Sequence, residues 1–261
     1  MASPLRSEGI HLLPVPGLPL VMPGDDLAAL IAAAARAADL PLIDGDVLAV
    51  AQKIVSKAED RYVILDMVTP SARARTLAAE TGKDARLVEV ILGESQSVLR
   101  HRPGVLIVVH RLGLVLANAG VDASNVDATA GRERVLLLPL DPDASAAGLR
   151  AGIRRHCGVD VGVVITDSPG RAWRRGSVNI AIGAAGLPAL LDLRGKPDLF
   201  DRPLHATTVG HADHIAAAAG LLQGQADEGL PVIVVRGLTP VADPLGTAAD
   251  LIRAAAEDMF R

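Results

Sequence analysis

Val161-Gly162-Val163-Val164-Ile165-Thr166 is an apolar, largely β-branched run that stops abruptly at Asp167-Ser168-Pro169-Gly170. A run of this length, bounded by turn residues, predicts a buried strand rather than a helix. Upstream of it, Asp141-Pro142-Asp143 predicts a capped helix to about His156, preceded by a strand over Val135–Leu138. Gly104–His110 and Gly113–Ala117 alternate about Arg111-Leu112 as a β-hairpin. Pro70-Ser71 opens a helical region to about Arg100, hinged near Gly82-Lys83-Asp84. Val47–Val50 reads as a strand running on into the polar segment Gln52–Lys57. Pro23-Gly24-Asp25-Asp26 opens a helix to about Leu40, after a short strand over Ile10–Val15. Downstream, a helix follows Asp213 and ends at Gln223-Gly224, a strand covers Val232–Val235, and a final helix covers Ala248–Met259. Strands and helices mix without strict βαβ alternation, which predicts an α+β (mixed α/β) architecture. With no internal repeat or long linker, residues 1–261 are expected to form a single domain, in one body or two lobes.

Composition narrows the function. Half the residues are hydrophobic, which excludes general disorder, and aromatics are only 2%, so the core must be built from Ala, Val, Leu and Ile. A net charge of −4 gives no basic footprint, so no nucleic-acid partner is expected. Cys157 is the only cysteine, so no intrachain disulfide forms, which suits a reducing, cytoplasmic setting. The first residues carry no sustained apolar stretch before their prolines, and Leu27–Ala35 is too short to span a bilayer. Neither a signal peptide nor membrane association is expected.

Four segments could carry chemistry. Asn118-Ala119-Gly120-Val121-Asp122-Ala123-Ser124-Asn125 crowds amides, a carboxylate and a hydroxyl into a small-residue loop after a strand; taken alone, an Asx turn explains it. Asp167-Ser168 at the mouth of a buried strand suits an oxygen-loving cation such as Mg²⁺ or Mn²⁺. The Arg171, Arg174, Arg175 and Gly176 that follow suit phosphate oxygens; the ordinary alternative is a solvated turn with Asp167 paired to Arg171. Trp173, the only tryptophan, has a packing role at a lobe boundary as its ordinary reading. Lys53 and Lys57 could neutralise phosphates, and Leu221–Glu228 surrounds the helix-ending Gly224 with amides and acids. His211 and His214, three apart at a helix start, read as a capping turn rather than a zinc pair. No P-loop, dinucleotide fingerprint, H-E-x-x-H, C-x-x-C or nucleophile elbow occurs.

Together these segments resemble the coenzyme F-420-0:L-glutamate ligases, or γ-glutamyl ligases. The resemblance spans nearly the whole chain, from Leu13-Pro14-Val15-Pro16-Gly17-Leu18-Pro19 to Val232-Ile233-Val234-Val235-Arg236-Gly237-Leu238. Between them stand Pro23–Leu27, Asp44–Leu48, Lys53–Glu59, Asn118–Val126, Leu136–Pro139, Asp141–Ser145 and Ile165–Asp167 with Gly170-Arg171. A dozen ordered blocks are far more specific than any single motif.

The resemblance implies a GTP- and divalent-metal-dependent enzyme that couples L-glutamate to the lactyl carboxylate of F-420-0 and then extends the tail through γ-linkages. By position, Asp122, Asp167, Ser168 and Gln225 match metal ligands for Mg²⁺ or Mn²⁺, with two ions per site and K⁺ as further candidates. Pro16, Gly17, Leu18, Pro19, Gln52, Lys53, Lys57, Asn125 and the segment Leu221, Leu222, Gln223, Gly224, Gln225, Ala226, Asp227, Glu228 match GTP contacts. Asp122, Asp167 and Lys57 are the catalytic candidates. A two-lobed α+β fold and an intertwined homodimer are implied too. Ser168 departs from the family's usual Thr but keeps the hydroxyl, Pro169 stiffens the turn, and His214 replaces an acid. No flavin-binding reductase-like second domain is expected. The alternatives are the same fold acting on another amino acid or a modified deazaflavin, and a non-catalytic deazaflavin or nucleotide carrier.

Overall fold

The computed structural model describes residues 9–123, 132–239, 241 and 245–259. In chain order its elements are β1 (His11–Pro14), α1 (Leu27–Ala37), β2 (Val47–Ala51), α2 (Gln52–Ala58), β3 (Tyr62–Ile64), α3 (Ala72–Thr81), α4 (Ala85–Gly93), β4 (Ser95–Arg102), β5 (Val105–His110), β6 (Val115–Ala117), β7 (Arg134–Leu136), α5 (Pro142–Cys157), β8 (Gly162–Asp167), β9 (Gly170–Arg171), β10 (Arg174–Ser177), β11 (Ile180–Ala185), β12 (Leu190–Asp192), β13 (Thr208–Gly210), α6 (His211–Gln223) and β14 (Val232–Arg236).

The apolar run of the sequence becomes β8, in a five-stranded sheet ordered β1-β14-β2-β8-β11. β2 and β8 run parallel and the other pairs antiparallel. The two-residue period of a strand divides their side chains between two helical layers. Leu48, Val50, Val163, Ile165, Val232 and Val234 pack with α1 and α5. Val47, Val164 and Val235 face Ala212, Ile215 and Ala216 of α6, with Ala49 and Ile233 meeting Ala219 beside them. Covered on both faces, these strands need apolar residues at every position, and their sequences are correspondingly unbroken.

Local chemistry sets the helix ends. Asp26 accepts the Ala29 N–H at the start of α1, and Asp141 accepts the Ala144 N–H at the start of α5. α5 carries Arg154, Arg155 and His156 in its last turn, favourable at the negative end of the helix dipole, and stops at Gly158 with φ +76°. α1 and α5 approach so closely that a Cβ at Gly152 would collide with the Ala28 side chain.

A second lobe packs α3 and α4 on the β4-β5-β6 sheet through Leu77, Val88, Ile91, Leu106 and Val108. Polar bonds join it to the first. Glu94, at the end of α4, accepts from Arg61 and Arg111 at 3.0 Å each. Arg61 also donates to Leu138 O, and Arg111 to the carbonyls of Pro139 and Leu140.

Three sequence expectations fail. The helix expected to about Arg100 ends at Gly93, and Ser95–Arg102 is a strand paired with β5; Glu94 is claimed by the inter-lobe arginines, and Ser97 and Val98 find β-partners. Gln52–Lys57 does not prolong β2 but turns into α2. The final helix over Ala248–Met259 is two short 3₁₀ turns, Ala248–Leu251 and Ala255–Glu257. Among the described residues no helix is long and apolar enough to cross a membrane.

Candidate active site

Strand register brings the sequence segments together. Ala51 pairs with Thr166 and Asp167 with Ile180, so the ends of β2 and β8 and the start of β11 share one edge of the sheet. The Ala51 N–H donates to Pro231 O, and the Val15 N–H to Val232 O, which brings the 16–19 turn and the loop before β14 to that same edge. α6 ends over it, because Gln223 donates to the carbonyls of Ala49 and Pro231, each at 3.2 Å. Four segments far apart in sequence therefore surround the mouth of β8.

At that mouth the Asp167 carboxyl is pushed above the ordinary range by burial, with the negative charge of Asp122 acting in the same sense. The Ser168 N–H, the Lys53 charge and the Gln52 side chain pull the other way without winning. Gln52 is buried and accepts from Ser56 Oγ at 2.9 Å, which fixes its amide one helical turn into α2. Lys53 Nζ lies 2.8 Å from Asp122 Oδ2. Lys57, four residues on, shares its helix face. Asp167 therefore answers to Lys53 and Gln52, not Arg171, whose guanidinium donates to the carbonyls of Arg175 and Gly176.

Asp122 arrives from the other lobe. Its backbone exchanges hydrogen bonds with Leu136 at 3.0 and 2.8 Å, an isolated bridge on the side of β7 away from β3. Just before it, Asn118, Ala119 and Gly120 have φ of +53°, +53° and +66°. Non-glycine residues persist there only where surroundings enforce it: Ala119 is fully buried, and Leu138 crowds Gly120. Ser124 and Asn125 lie outside the described residues.

Asn179 was not singled out from the sequence. It is buried, donates to Gln223 Oε1 at 2.7 Å, and accepts from Gln225 Nε2 at 3.1 Å. Thr166 Oγ1 also donates to Gln223 Oε1, at 3.1 Å. A Cβ at Gly220 would come within 2.9 Å of Asn179, so α6 needs glycine there. With its amide nitrogen bonded to Asn179, the exposed Gln225 keeps its amide oxygen for another partner. Elsewhere in the 221–228 segment, Leu221 is exposed, Gly224 ends α6 with φ +68°, and Glu228 accepts the Ala226 N–H. The signal for Asn179 was a lone polar residue entering the apolar run of β11, a strand the sequence reading passed over.

The donor chemistry suits a hard divalent cation. Two mutually repelling carboxylates, one largely buried, stand with the Ser168 hydroxyl and the Gln225 amide oxygen nearby in sequence or contact. Among the described residues no group of three or more His, Cys, Asp or Glu stands together. A Mg²⁺-type site needs only one or two carboxylates acting with substrate phosphates. A cavity of about 590 Å³ opens at the opposite edge of the sheet, beside Asp44, Gly162, Gly186 and Leu238, and includes neither Asp122 nor Asp167.

The model of the F420-0:gamma-glutamyl ligase family matches residues 17–237. A coenzyme F420:L-glutamate ligase of Methanopyrus kandleri is 49% identical over 255 residues, covering 97% of this chain and 98% of its own. Proteins of the same description from Archaeoglobus fulgidus and Methanothermobacter thermautotrophicus are each 44% identical, covering 97% and 88% of this chain and 96% and 89% of theirs. The chain belongs to the F420-0:gamma-glutamyl ligase family.

Proposed function

We propose that this member of the family is a GTP- and divalent-metal-dependent ligase that joins L-glutamate to coenzyme F-420-0 and then adds γ-linked glutamate to F-420-1. The observation that carries the reading is the meeting of Asp122, Lys53, Gln52 and Asp167 at the mouth of β8. Names of relatives at 44–49% identity support the acceptor and the amino acid.

An amide cannot form directly from a carboxylate at a useful rate, so the acceptor must be activated. In the proposed first step a carboxylate oxygen of F-420-0 attacks the γ-phosphorus of GTP in line, the bond to the β-phosphate oxygen breaks, and GDP leaves. The glutamate amine then attacks the acyl carbon, phosphate departs with the bonding pair, and the amine loses its proton to solvent. The Lys53 ammonium, held by Asp122, places positive charge where phosphate oxygens gain negative charge, and Lys57 adds a second on the same face. Gln52 orients the Asp167 carboxyl, and the Asn179–Gln223 network fixes Gln225. Asp122, Asp167, Ser168 and Gln225 would hold Mg²⁺ or Mn²⁺, which neutralises reacting phosphates when bound. The Pro16–Pro19 turn and the 221–228 segment flank the same edge and would receive the nucleotide. A homodimer and a cytoplasmic setting belong to the same reading.

The test is incubation with F-420-0, L-glutamate, GTP and Mg²⁺ or Mn²⁺, following product masses beside an active relative. Successive glutamate-sized increments that need both GTP and metal are expected. Absence of any increment would overturn the assignment.

A further inference from the structure

The chain's one tryptophan does not pack a lobe boundary: Trp173 is 79% exposed at the tip of the β9–β10 hairpin. Its φ of +57° is a backbone conformation that bulky residues rarely adopt. An indole this exposed is not held in the core, and its backbone conformation is not one that tryptophan favours. The hairpin is braced from within. Arg171 donates to the carbonyls of Arg175 and Gly176 at 2.9 and 3.2 Å, so its guanidinium holds the two short strands together. Arg174 and Arg175, the next two residues, are exposed, and residues 170–177 contain no acid, in a chain whose net charge is −4. The tip thus exposes an indole and two guanidinium groups, six to eight residues beyond Asp167.

We propose that this hairpin recognises the acceptor, with Trp173 stacking on the planar deazaflavin ring and Arg174 meeting its anionic tail. The inference rests on the ligase reading above. An acceptor must lay its carboxylate at the mouth of β8 while its ring system lies elsewhere. Six residues of extended chain, about 20 Å at most, separate Trp173 from Asp167, a span that a ring with a tail can bridge. Stacking suits a planar heterocycle, and arginine binds a carboxylate through paired hydrogen bonds. The proposed GTP contacts lie on other segments, so the tip is assigned to the acceptor alone.

Because Trp173 is the sole tryptophan, intrinsic emission of the intact chain reports on this tip directly. Titration with F-420-0 is expected to change that emission saturably, while GTP alone and a single-stranded oligonucleotide leave it unchanged. In turnover, Trp173→Ala and Arg174→Ala should each raise the KM for F-420-0 about tenfold, with the KM for GTP unaltered and Trp173→Phe restoring most of the loss. An unaltered KM for F-420-0 in Trp173→Ala, or emission that answers to GTP or to the oligonucleotide instead, would overturn the inference while the ligase reading stands. A wild-type chain that ligates nothing would sink that reading, and the emission titration would still decide whether the tip binds a deazaflavin.

Discussion

The Lys53 ammonium lies 2.8 Å from Oδ2 of Asp122, an ion pair joining the helix that leaves β2 to a loop of the second lobe. Each side chain is about one-third exposed, at 32%. Water screens such a pair, so its value to folding is at most about 1 kcal/mol. Its position at the β8 mouth puts it among the groups proposed to meet the phosphates.

Replacing Lys53 therefore separates the two effects. Lys53→Met should lower kcat at least about 100-fold, the scale of removing one preorganised charge from a transition state. Its melting temperature should stay close to wild type. Lys53→Arg should keep the ion pair and recover only part of the rate, because a planar fork does not replace a compact ammonium. Near-normal kcat in Lys53→Met would remove Lys53 from the phosphate-facing role.

Asp167 should trade stability against activity. Burial and the Asp122 charge both disfavour its carboxylate, so Asp167→Asn is expected to raise the melting temperature of the metal-free protein slightly. The same change should nearly abolish turnover and remove the thermal shift that Mn²⁺ gives the wild type. A ligand at 100 times its Kd adds about 2.7 kcal/mol, readily visible in a melt. An equal Mn²⁺ shift in both proteins would take Asp167 out of the metal site.

Gln223 lies in the segment proposed to face the nucleotide, yet its amide makes four hydrogen bonds to Thr166, Asn179, Ala49 and Pro231. Gln223→Leu keeps much of the volume and strands those partners, which should cost about 2–3 kcal/mol. For a chain of this size that lowers the melting temperature by roughly 5–10 °C. A melt within 1 °C of wild type (about the scatter of such measurements) would mean the network is not structural.

Acid should loosen the junction between lobes. Burial pushes the Glu94 carboxyl up, but the His110 imidazole 3.5 Å away, the hydrogen bond from Arg111 and the charges of Arg61 and Arg111 outweigh it and bring it down to about 2. A carboxyl depressed from 4.5 contributes fully above that value and loses its contribution as pH falls toward 2. The amount is about 3 kcal/mol. Glu94→Gln should be less stable at pH 7 and converge on wild type only as pH falls to about 2. Denaturation curves separated by the same interval at every pH would contradict this.

Much of the fold was legible because its strands are covered on both faces. An element such as β8 must be apolar throughout, and that unbroken run is visible in one dimension. The capped helices were equally plain, since Asp26 and Asp141 act on N–H groups three residues away. β4 was not legible. Its outer residues are exposed, and its strand character comes from pairing with β5, a contact to residues that follow in the chain. Asn179 was missed for the same reason, because its partners Gln223 and Gln225 lie more than 40 residues away.

For the site, the sequence determined which residue types were available and that Asp167-Ser168 would emerge at the end of a buried strand. The tertiary structure decided which of them meet. The parallel register of β2 and β8 places Gln52 and Lys53 beside Asp167, and the bridge of Asp122 to Leu136 carries a carboxylate in from the other lobe. It also withdrew Arg171 from Asp167 and left Trp173 in solvent. Exposed charges are largely screened from one another beyond about 10 Å, so their meaning depends on distances that only the folded chain fixes.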